Sequence, residues 1–242
     1  MITAEMIIGS VVGFIVEKAL TRVGFLSGDK RRTACRSLTK LYYSVQALDD
    51  VTDNIFHTLN GFRTTSAGEA YALMNALNNH MHEVALASNM FMDLGHELHA
   101  GLEIIDPTLA VCCDALYISK CNFLNEMSNT VKWVRSAPPG QIVIKMPTRT
   151  TNALTMDRAY SDALDAFKRG EKQYWPNTWN RSNEPDQVIL TWEGHDAATA
   201  FILRLSEHRT VLVEAKEKLR VLLKSNFSVD ELLYQTNTNP YR

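Results

Sequence analysis

Histidine and carboxylate side chains at helical spacing are the residues of this sequence that could hold a metal ion. His96 and His99 are three residues apart and Glu103 follows four residues later, so all three would share one helix face. Helical bundles build metal sites from such sets, but a di-iron site needs Glu-x-x-His from two helices. The sequence contains no Glu-x-x-His and no His-Glu-x-x-His motif. Exposed or hydrogen-bonded histidines are therefore favoured, and no metal or other cofactor is predicted.

Motifs for other chemistry are equally weak. Arg204 and His208 have fewer residues between them than helical ribonucleases of the HEPN class require. The sequence has no Gly-x-x-x-x-Gly-Lys phosphate loop, no Gly-x-Ser-x-Gly elbow and no zinc-finger spacing. Its four cysteines include no Cys-x-x-Cys pair, which is typical of reduced thiols in a cytosolic protein. The sequence thus predicts a cytoplasmic protein that is not an enzyme.

Long amphipathic segments must position whatever function the chain has. Apolar residues repeat at 3-4 spacing from about Thr33 to Leu59, after a capping pattern at Ser66, after Asp106-Pro107, and from about Trp192 to Lys224. A kink near Gly95 is expected in the helix that follows Ser66, which is the third predicted helix of the chain when the N-terminal one is counted. The stretch from Gln141 to Met146 is rich in β-branched residues and predicts a short strand, as one half of a small hairpin.

The predicted fold is therefore an all-α bundle of four or five long helices with a small irregular or β-containing insertion. Residues 1–136 form the N-terminal bundle, and residues 137–190 form the insertion, with a short helix and an aromatic loop. Residues 191–242 form a long helix that packs back on the bundle, so that one domain is expected overall. A formal net charge of -2 argues against nucleic acid as a partner.

The N-terminal segment from Thr3 to about Phe25 is the unusual element. It carries no charge between Met6 and Val16, so the predicted helix is apolar all round for about three turns. Gly9 and Gly13 form a Gly-x-x-x-Gly pair, which lets two helices approach closely. Burial at the bundle centre and insertion into a membrane both remain open. The residues predicted to insert are Met6, Ile7, Ile8, Val11, Val12, Phe14, Ile15 and Val16.

Positive charge follows this apolar segment directly. Seven bases and one acid, Asp29, lie between Lys18 and Lys40, whereas the next two predicted helices are acidic. Ion pairing with neighbouring helices is the ordinary explanation of such a run. Contact with anionic lipid is the alternative, as for Lys/Arg clusters beside membranes. The residues predicted to make that lipid contact are Lys30, Arg31, Arg32, Arg36 and Lys40.

This order of elements resembles the HeLo-like and mixed-lineage-kinase-like helical bundles and their bacterial defence relatives. The resemblance rests on the apolar helix with Gly9 and Gly13, the basic stretch from Lys30 to Lys40, and Leu41-Tyr42-Tyr43 with Asp49-Asp50. It covers about the first 135 residues and implies a domain that oligomerises after a trigger and perforates membranes. The insertion and the long C-terminal helix depart from the pattern.

Three hypotheses follow. The first is an oligomerising effector whose N-terminal helix forms a pore or disrupts anionic membranes once a protein partner activates or releases it, in antiviral defence or cell death. Such a protein would be cytoplasmic at rest and membrane-associated when active. The second is a helical adaptor that binds a protein partner through its acidic helices or its last helix. A bundle metalloprotein using His96, His99 and Glu103 is a third, less favoured reading.

Overall fold

The computed structural model describes residues 4–61, 67–92, 95–131, 141–145, 151–171, 187–191 and 196–236. These residues form eight α-helices and two β-strands, and the predicted all-α fold class is confirmed. The helices are α1 (Ala4–Arg22), α2 (Gly28–Gly61), α3 (Ala67–Met92), α4 (Gly95–Ile105), α5 (Val111–Val131), α6 (Thr151–Lys168), α7 (Asp196–Asn226) and α8 (Val229–Thr236); the strands are β1 (Gln141–Lys145) and β2 (Gln187–Thr191).

Local sequence signals explain where several helices begin. The Asp106 carboxylate accepts a hydrogen bond from the Thr108 backbone N–H at 2.9 Å, immediately before Pro107 opens a 3₁₀ turn that leads into α5. Ser228 and Glu231 form a capping box, because each side chain accepts a hydrogen bond from the other residue's backbone N–H. Both starts were predicted from the sequence and are confirmed.

Other boundaries differ from the predictions. Helix α2 begins at Gly28, ahead of the predicted Thr33. Helix α6 begins at Thr151, whereas the amphipathic pattern of the sequence predicts a short helix from Thr155 to Lys168. The predicted third helix corresponds to α3 and α4. Residues 93–94 between them lie outside the described residues, so the kink predicted near Gly95 stays a prediction. Some predicted features lie outside the described residues: the cap at Ser66, the aromatic loop at 172–186 and the start of the last helix at 192–195.

The small sheet is not a hairpin. Strand β1 pairs antiparallel with β2, in a register that sets Gln141 opposite Thr191 and Lys145 opposite Gln187. Because α6 lies between the two strands in the chain, the sheet brings together the two ends of the segment that carries α6. Sequence pattern identified β1, but its partner is Val188-Ile189-Leu190, a short run too far along the chain to be recognised as its pair.

Helix α1 is enclosed by the rest of the bundle. It packs against α5 and α7 and also contacts α4, while α7 packs against α2 as well. The side chains of Ile7, Ile8, Val11, Val12 and Ile15 have no exposed surface. Burial at the bundle centre, one of the two alternatives left open by the sequence, therefore describes the aliphatic face of α1 in this conformation.

One narrow stripe of α1 still faces solvent. Met6, Ser10, Gly13, Glu17 and Leu20 are exposed or half-exposed and recur at alternating spacings of four and three residues. This is the period of a single helix face. The expectation of a helix that is apolar all round is thus too simple, because the outward stripe is small or polar at its centre.

Close packing of α4 on α2 depends on Gly101. A Cβ atom at this position would overlap the Ser37 side chain and would lie 3.3 Å from the Thr33 carbonyl oxygen. The Ser37 hydroxyl donates a hydrogen bond to the Glu97 carbonyl at 2.7 Å and so ties the two helices together at the same point. Gly101 therefore sets the distance between α2 and α4.

We expect Gly101→Ala to lower the free energy of unfolding by about 1–3 kcal/mol, the usual cost of overpacking a filled contact. Gly95→Ala is the matched control, because a Cβ there meets no atom within 4 Å. Alanine is the better helix former, so the control should be neutral or slightly stabilising. Urea denaturation followed by circular dichroism measures both, and equal midpoints for the two variants would contradict the close contact.

Candidate functional site

The predicted membrane-inserting residues lie mainly in the protein core. Five of the eight have no exposed surface, and Val16 is 8% exposed. Phe14 is half-buried and meets Phe167 of α6 edge to face, with ring centroids 5.2 Å apart. Only Met6, at 44% exposed, presents a large apolar surface to solvent. In this conformation the aliphatic face of α1 is inaccessible to a bilayer.

Gly9 and Gly13, predicted to form one helix–helix contact, have different surroundings. A Cβ atom on Gly9 would lie 2.7 Å from Cγ1 of Val211 in α7, so this glycine lets α7 approach α1 closely. A Cβ atom on Gly13 would meet nothing within 4 Å. The structure thus uses Gly9 inside the protein and leaves Gly13 on the outward stripe.

The basic residues predicted to contact lipid are mostly engaged in ion pairs. Arg31 pairs with Glu231 of α8 at 2.6 Å, and Arg36 and Lys40 both pair with Glu97 of α4. Arg32 pairs with Asp29 at 3.4 Å, where both side chains are largely exposed. Lys30 is exposed and makes no ion pair with the described residues. The basic segment therefore also fastens α4 and α8 to α2.

The Arg31 contact is the most developed of these pairs. The Arg31 guanidinium also donates to the Asn226 carbonyl oxygen and lies over the Phe227 ring, 5.0 Å from its centroid. Its hydrogen bonds, together with the Ser228 backbone N–H, lower the pKa of Glu231 to about 2. Glu231 consequently stays ionised well into the acid range, and the contact between α2 and α8 persists there.

A second charge cluster joins α2 to α7, and sequence reasoning missed it. Asp49 is 4% exposed and contacts Lys216, with Arg209 at 3.9 Å. Arg209 also lies 3.0 Å from Asp53, whose other neighbour is His57 at 3.2 Å. The sequence held one indication of this cluster, the spacing of its charges. The two acids are four residues apart on α2 and the two bases are seven apart on α7, so each pair lies on one face of its helix.

This α2–α7 clamp, defined as Asp49, Asp53, Arg209 and Lys216, matters for α1. Helix α7 contacts both α1 and α2, and its Val211 lies over Gly9 between the two clamp bases in sequence. A partner that separated α7 from α2 would therefore also loosen the cover over α1. Charged contacts of this kind are sensitive to competition from other charged surfaces.

Ionisable groups are also buried on α1 and on its neighbour α5. Glu5 has no exposed surface, and Lys120 is 1% exposed. Burial lowers the pKa of Lys120, and its ammonium group lies 4.6 Å from the centroid of the Tyr117 ring. Glu5 lies in the first turn of α1, and its side chain is buried there among the helices of the bundle.

The histidines form no metal site within the described residues. His96 is exposed, and His99 lies 3.7 Å from Glu103 on the helix surface. No group of three or more His, Cys, Asp or Glu side chains in the described part of the chain is arranged to hold a metal ion. The side chains of Arg204 and His208 lie outside the described residues.

His80 takes part in a hydrogen-bonded chain that resembles a catalytic relay. Its Nε2 lies 2.8 Å from the Thr58 hydroxyl, its Nδ1 lies 3.1 Å from the Glu83 carboxylate, and Asn54 donates to the same carboxylate. A nucleophile also needs donors for the developing oxyanion. Thr58 lies inside α2, where backbone N–H groups are used by the helix itself. The chain of contacts therefore serves to join α2 to α3.

Comparison with known proteins supplies no relative for this chain. No protein-family model, no curated protein and no solved structure matches it. The resemblance to HeLo-like bundles accordingly stays a prediction from pattern. Among the described residues, no helix combines the length and apolar content that crossing a bilayer requires.

We expect Asp49→Asn to lower the free energy of unfolding by about 3 kcal/mol, because the partly buried Lys216 loses its counter-charge, whereas Arg209 keeps Asp53. Asp29→Asn is the matched control, since its pair with Arg32 is largely exposed and such pairs are worth less than about 1 kcal/mol. Chemical denaturation at neutral pH compares the two. A loss for Asp49→Asn no larger than for Asp29→Asn would contradict the clamp.

Proposed function

We propose that this protein is a membrane-disrupting effector and that the conformation described above is its resting one. After activation, α1 would be the element that acts on the bilayer. The observation that supports the proposal is the enclosure of the aliphatic face of α1 beneath α7, which is itself fastened to α2 by a cluster of charges. The aliphatic face of α1, which would act on the membrane, and the contacts of α7 that cover it thus lie in the same helical bundle. The function involves no catalysis.

The energetics of release favour a membrane as the destination of α1. Six aliphatic side chains from Ile7 to Val16 are buried, and each is worth about 1.5–3 kcal/mol against exposure to water. Release into water would thus cost on the order of 10 kcal/mol. A hydrocarbon environment restores most of this energy, because lipid tails solvate aliphatic groups as the core does. Lipid can therefore stabilise the conformation in which α1 has left the bundle, which is unfavourable in water, and so increase its population.

The length and outward stripe of α1 indicate how it would sit in the bilayer. The uncharged stretch from Met6 to Val16 is roughly 16 Å long as a helix, about half of a hydrocarbon core. A single copy would lie in the interface, with its aliphatic face toward the acyl chains and Ser10 and Glu17 toward water. Several copies would be needed to open a defect, so the effector acts as a homo-oligomer.

The remaining parts of the proposal concern setting and partners. Anionic lipids are the expected membrane component, contacted by Lys30 and by the other basic residues once their pairs open. A protein partner that binds the charged residues of the α2–α7 clamp in place of their present partners would activate the effector. A partner that binds over the intact clamp would inhibit it. The protein would then be cytoplasmic at rest and membrane-bound when active, in defence or cell death as the family resemblance implies.

The adaptor hypothesis has one observation in its favour. Helix α7 carries exposed Val213 and Val221, and α3 carries exposed Tyr71 and Leu86. Exposed apolar side chains on the predicted partner-binding helices suit a protein that docks other proteins in this same conformation. The two functions differ in one respect: an adaptor needs no movement of α1, whereas the effector does.

A reversible cross-link between α1 and α7 tests this difference. The double variant combines Gly9→Cys with Val211→Cys. A Cβ atom on residue 9 would lie 2.7 Å from Cγ1 of Val211, so two cysteines at these positions are close enough to form a disulfide. We expect the oxidised double variant to be inactive in dye leakage from anionic vesicles. Reduction should restore leakage by about tenfold or more, because α1 is then free to leave α7.

Each single cysteine variant is the control, since neither can cross-link the helices and both retain the native cysteines. Their leakage should not respond to oxidant. Equal leakage from the oxidised and reduced double variant would rule out release of α1. An absence of leakage from every form, including the unmodified chain, would favour the adaptor.

A further inference from the structure

The corner between α1 and α2 exposes a large aromatic side chain. Residues Val23–Phe25 form a 3₁₀ turn closed by the Leu26 N–H bonding to the Val23 carbonyl at 3.1 Å. The turn holds Phe25 outward with 90% of its surface exposed. Among the described large hydrophobic residues recorded as exposed, this fraction is the highest, and Val229 follows at 70%. A single exposed apolar residue is common, so Phe25 becomes informative only with a matching surface.

A matching surface lies on the outward stripe of α1. A cavity of about 200 Å³ opens between α1 and α6, with Phe14, Leu164 and Phe167 as its apolar lining and Ser10, Glu17 and Lys168 as its polar members. Phe167 is almost fully buried, and its ring meets Phe14 edge to face. We call this site the Phe14 pocket.

The size and lining of the Phe14 pocket suit a phenyl ring. A cavity of about 150 Å³ lined by aliphatic and aromatic side chains is large enough to take benzene. A third ring would add to the edge-to-face pair of Phe14 and Phe167, in the arrangement that aromatic clusters prefer. The apolar half of the lining, Phe14, Leu164 and Phe167, therefore matches the group that Phe25 presents.

The charges around the two surfaces are also complementary. The pocket is bordered by the anion Glu17 and the cation Lys168, both exposed. Phe25 is followed by the cation Lys30, which has no ion pair among the described residues, and by Asp29, whose side chain is 97% exposed. The border of the pocket and the chain that follows Phe25 thus each carry one anion and one cation, of which Asp29 also pairs with Arg32 and Lys168 with Asp165. Exposed pairs of this kind add orientation more than affinity.

We propose that Phe25 of one copy of this chain inserts into the Phe14 pocket of another copy. The same chain cannot make the contact, because Phe14 and Phe25 are separated by roughly 16 Å along the helix. The contact joins two different surfaces, so it is head to tail. Such contacts continue from copy to copy and produce rings or filaments.

One aromatic anchor gives a weak contact in water. A buried phenylalanine covers about 150–250 Å², far below the roughly 1,200 Å² of a stable interface. Copies concentrated on a membrane would associate through it, because a tethered second binding event gains from effective concentration. The inference rests on the proposed function for its purpose, namely assembly, but the contact itself is measurable without any membrane.

Cysteine cross-linking between copies tests the contact. Gly24→Cys keeps Phe25 and places a thiol next to it, where added atoms meet nothing within 4 Å. Ser10→Cys places a thiol on the exposed side of the Phe14 pocket. A chain carrying both should give a ladder of disulfide-linked species on a non-reducing gel at high protein concentration. The unmodified chain measures the background from the native cysteines.

Two further substitutions identify the interacting groups. Adding Phe25→Ser, or filling the pocket with Leu164→Trp, should each reduce the ladder by about tenfold or more, whereas Val229→Ser, the matched exposed residue, should leave it intact. Circular dichroism verifies that each variant keeps its helical content. A ladder that survives Phe25→Ser, products that stop at the dimer, or no product above background would overturn the proposal. Vesicle leakage is not part of the readout, so this contact and the membrane function can fail separately.

Discussion

Covering the aliphatic face of α1 is the requirement on which the rest of the structure depends. Its isoleucines and valines must be kept from water, and α5 and α7 provide most of the cover. Helix α7 reaches close enough only because residue 9 is glycine, opposite Val211. Asp49 and Asp53 then hold α7 against α2 through Arg209 and Lys216. Burial of the aliphatic face of α1 stabilises the folded state, and the charged contact between α2 and α7 fixes α7 in the position that covers this face.

This division of roles links stability to the proposed function. A bundle held only by aliphatic packing has no obvious point at which a partner could open it, whereas a charged cluster between two helices offers one. The basic segment after α1 follows the same logic, because Arg31, Arg36 and Lys40 pair with α8 and α4 in the resting state. The same side chains could meet lipid phosphates once those pairs separate. Under the proposed function, the sequestered helix and the paired cations would both belong to the resting state.

Sequence alone predicted the elements better than their contacts. Caps at Asp106 and Ser228 and the apolar seam of α2 are local signals, and each is found in the structure. Gly9 and Gly13 look equivalent in the sequence, yet only Gly9 contacts a neighbouring helix, because the difference depends on where α7 lies. The α2–α7 clamp and the exposed Phe25 depend on tertiary placement in the same way. Pairing partners far apart in the chain leave no local pattern.

The separation of α1 from α7 is the most direct test of the account. Spin labels on unnatural amino acids at Glu17 and Glu214, both exposed, report the distance between the two helices without using the native cysteines. In buffer the account predicts one narrow distance distribution. On binding to anionic vesicles, a second population should appear that is longer by more than one helix–helix spacing, about 10 Å. An unchanged distribution in protein that is bound to vesicles would contradict the release of α1.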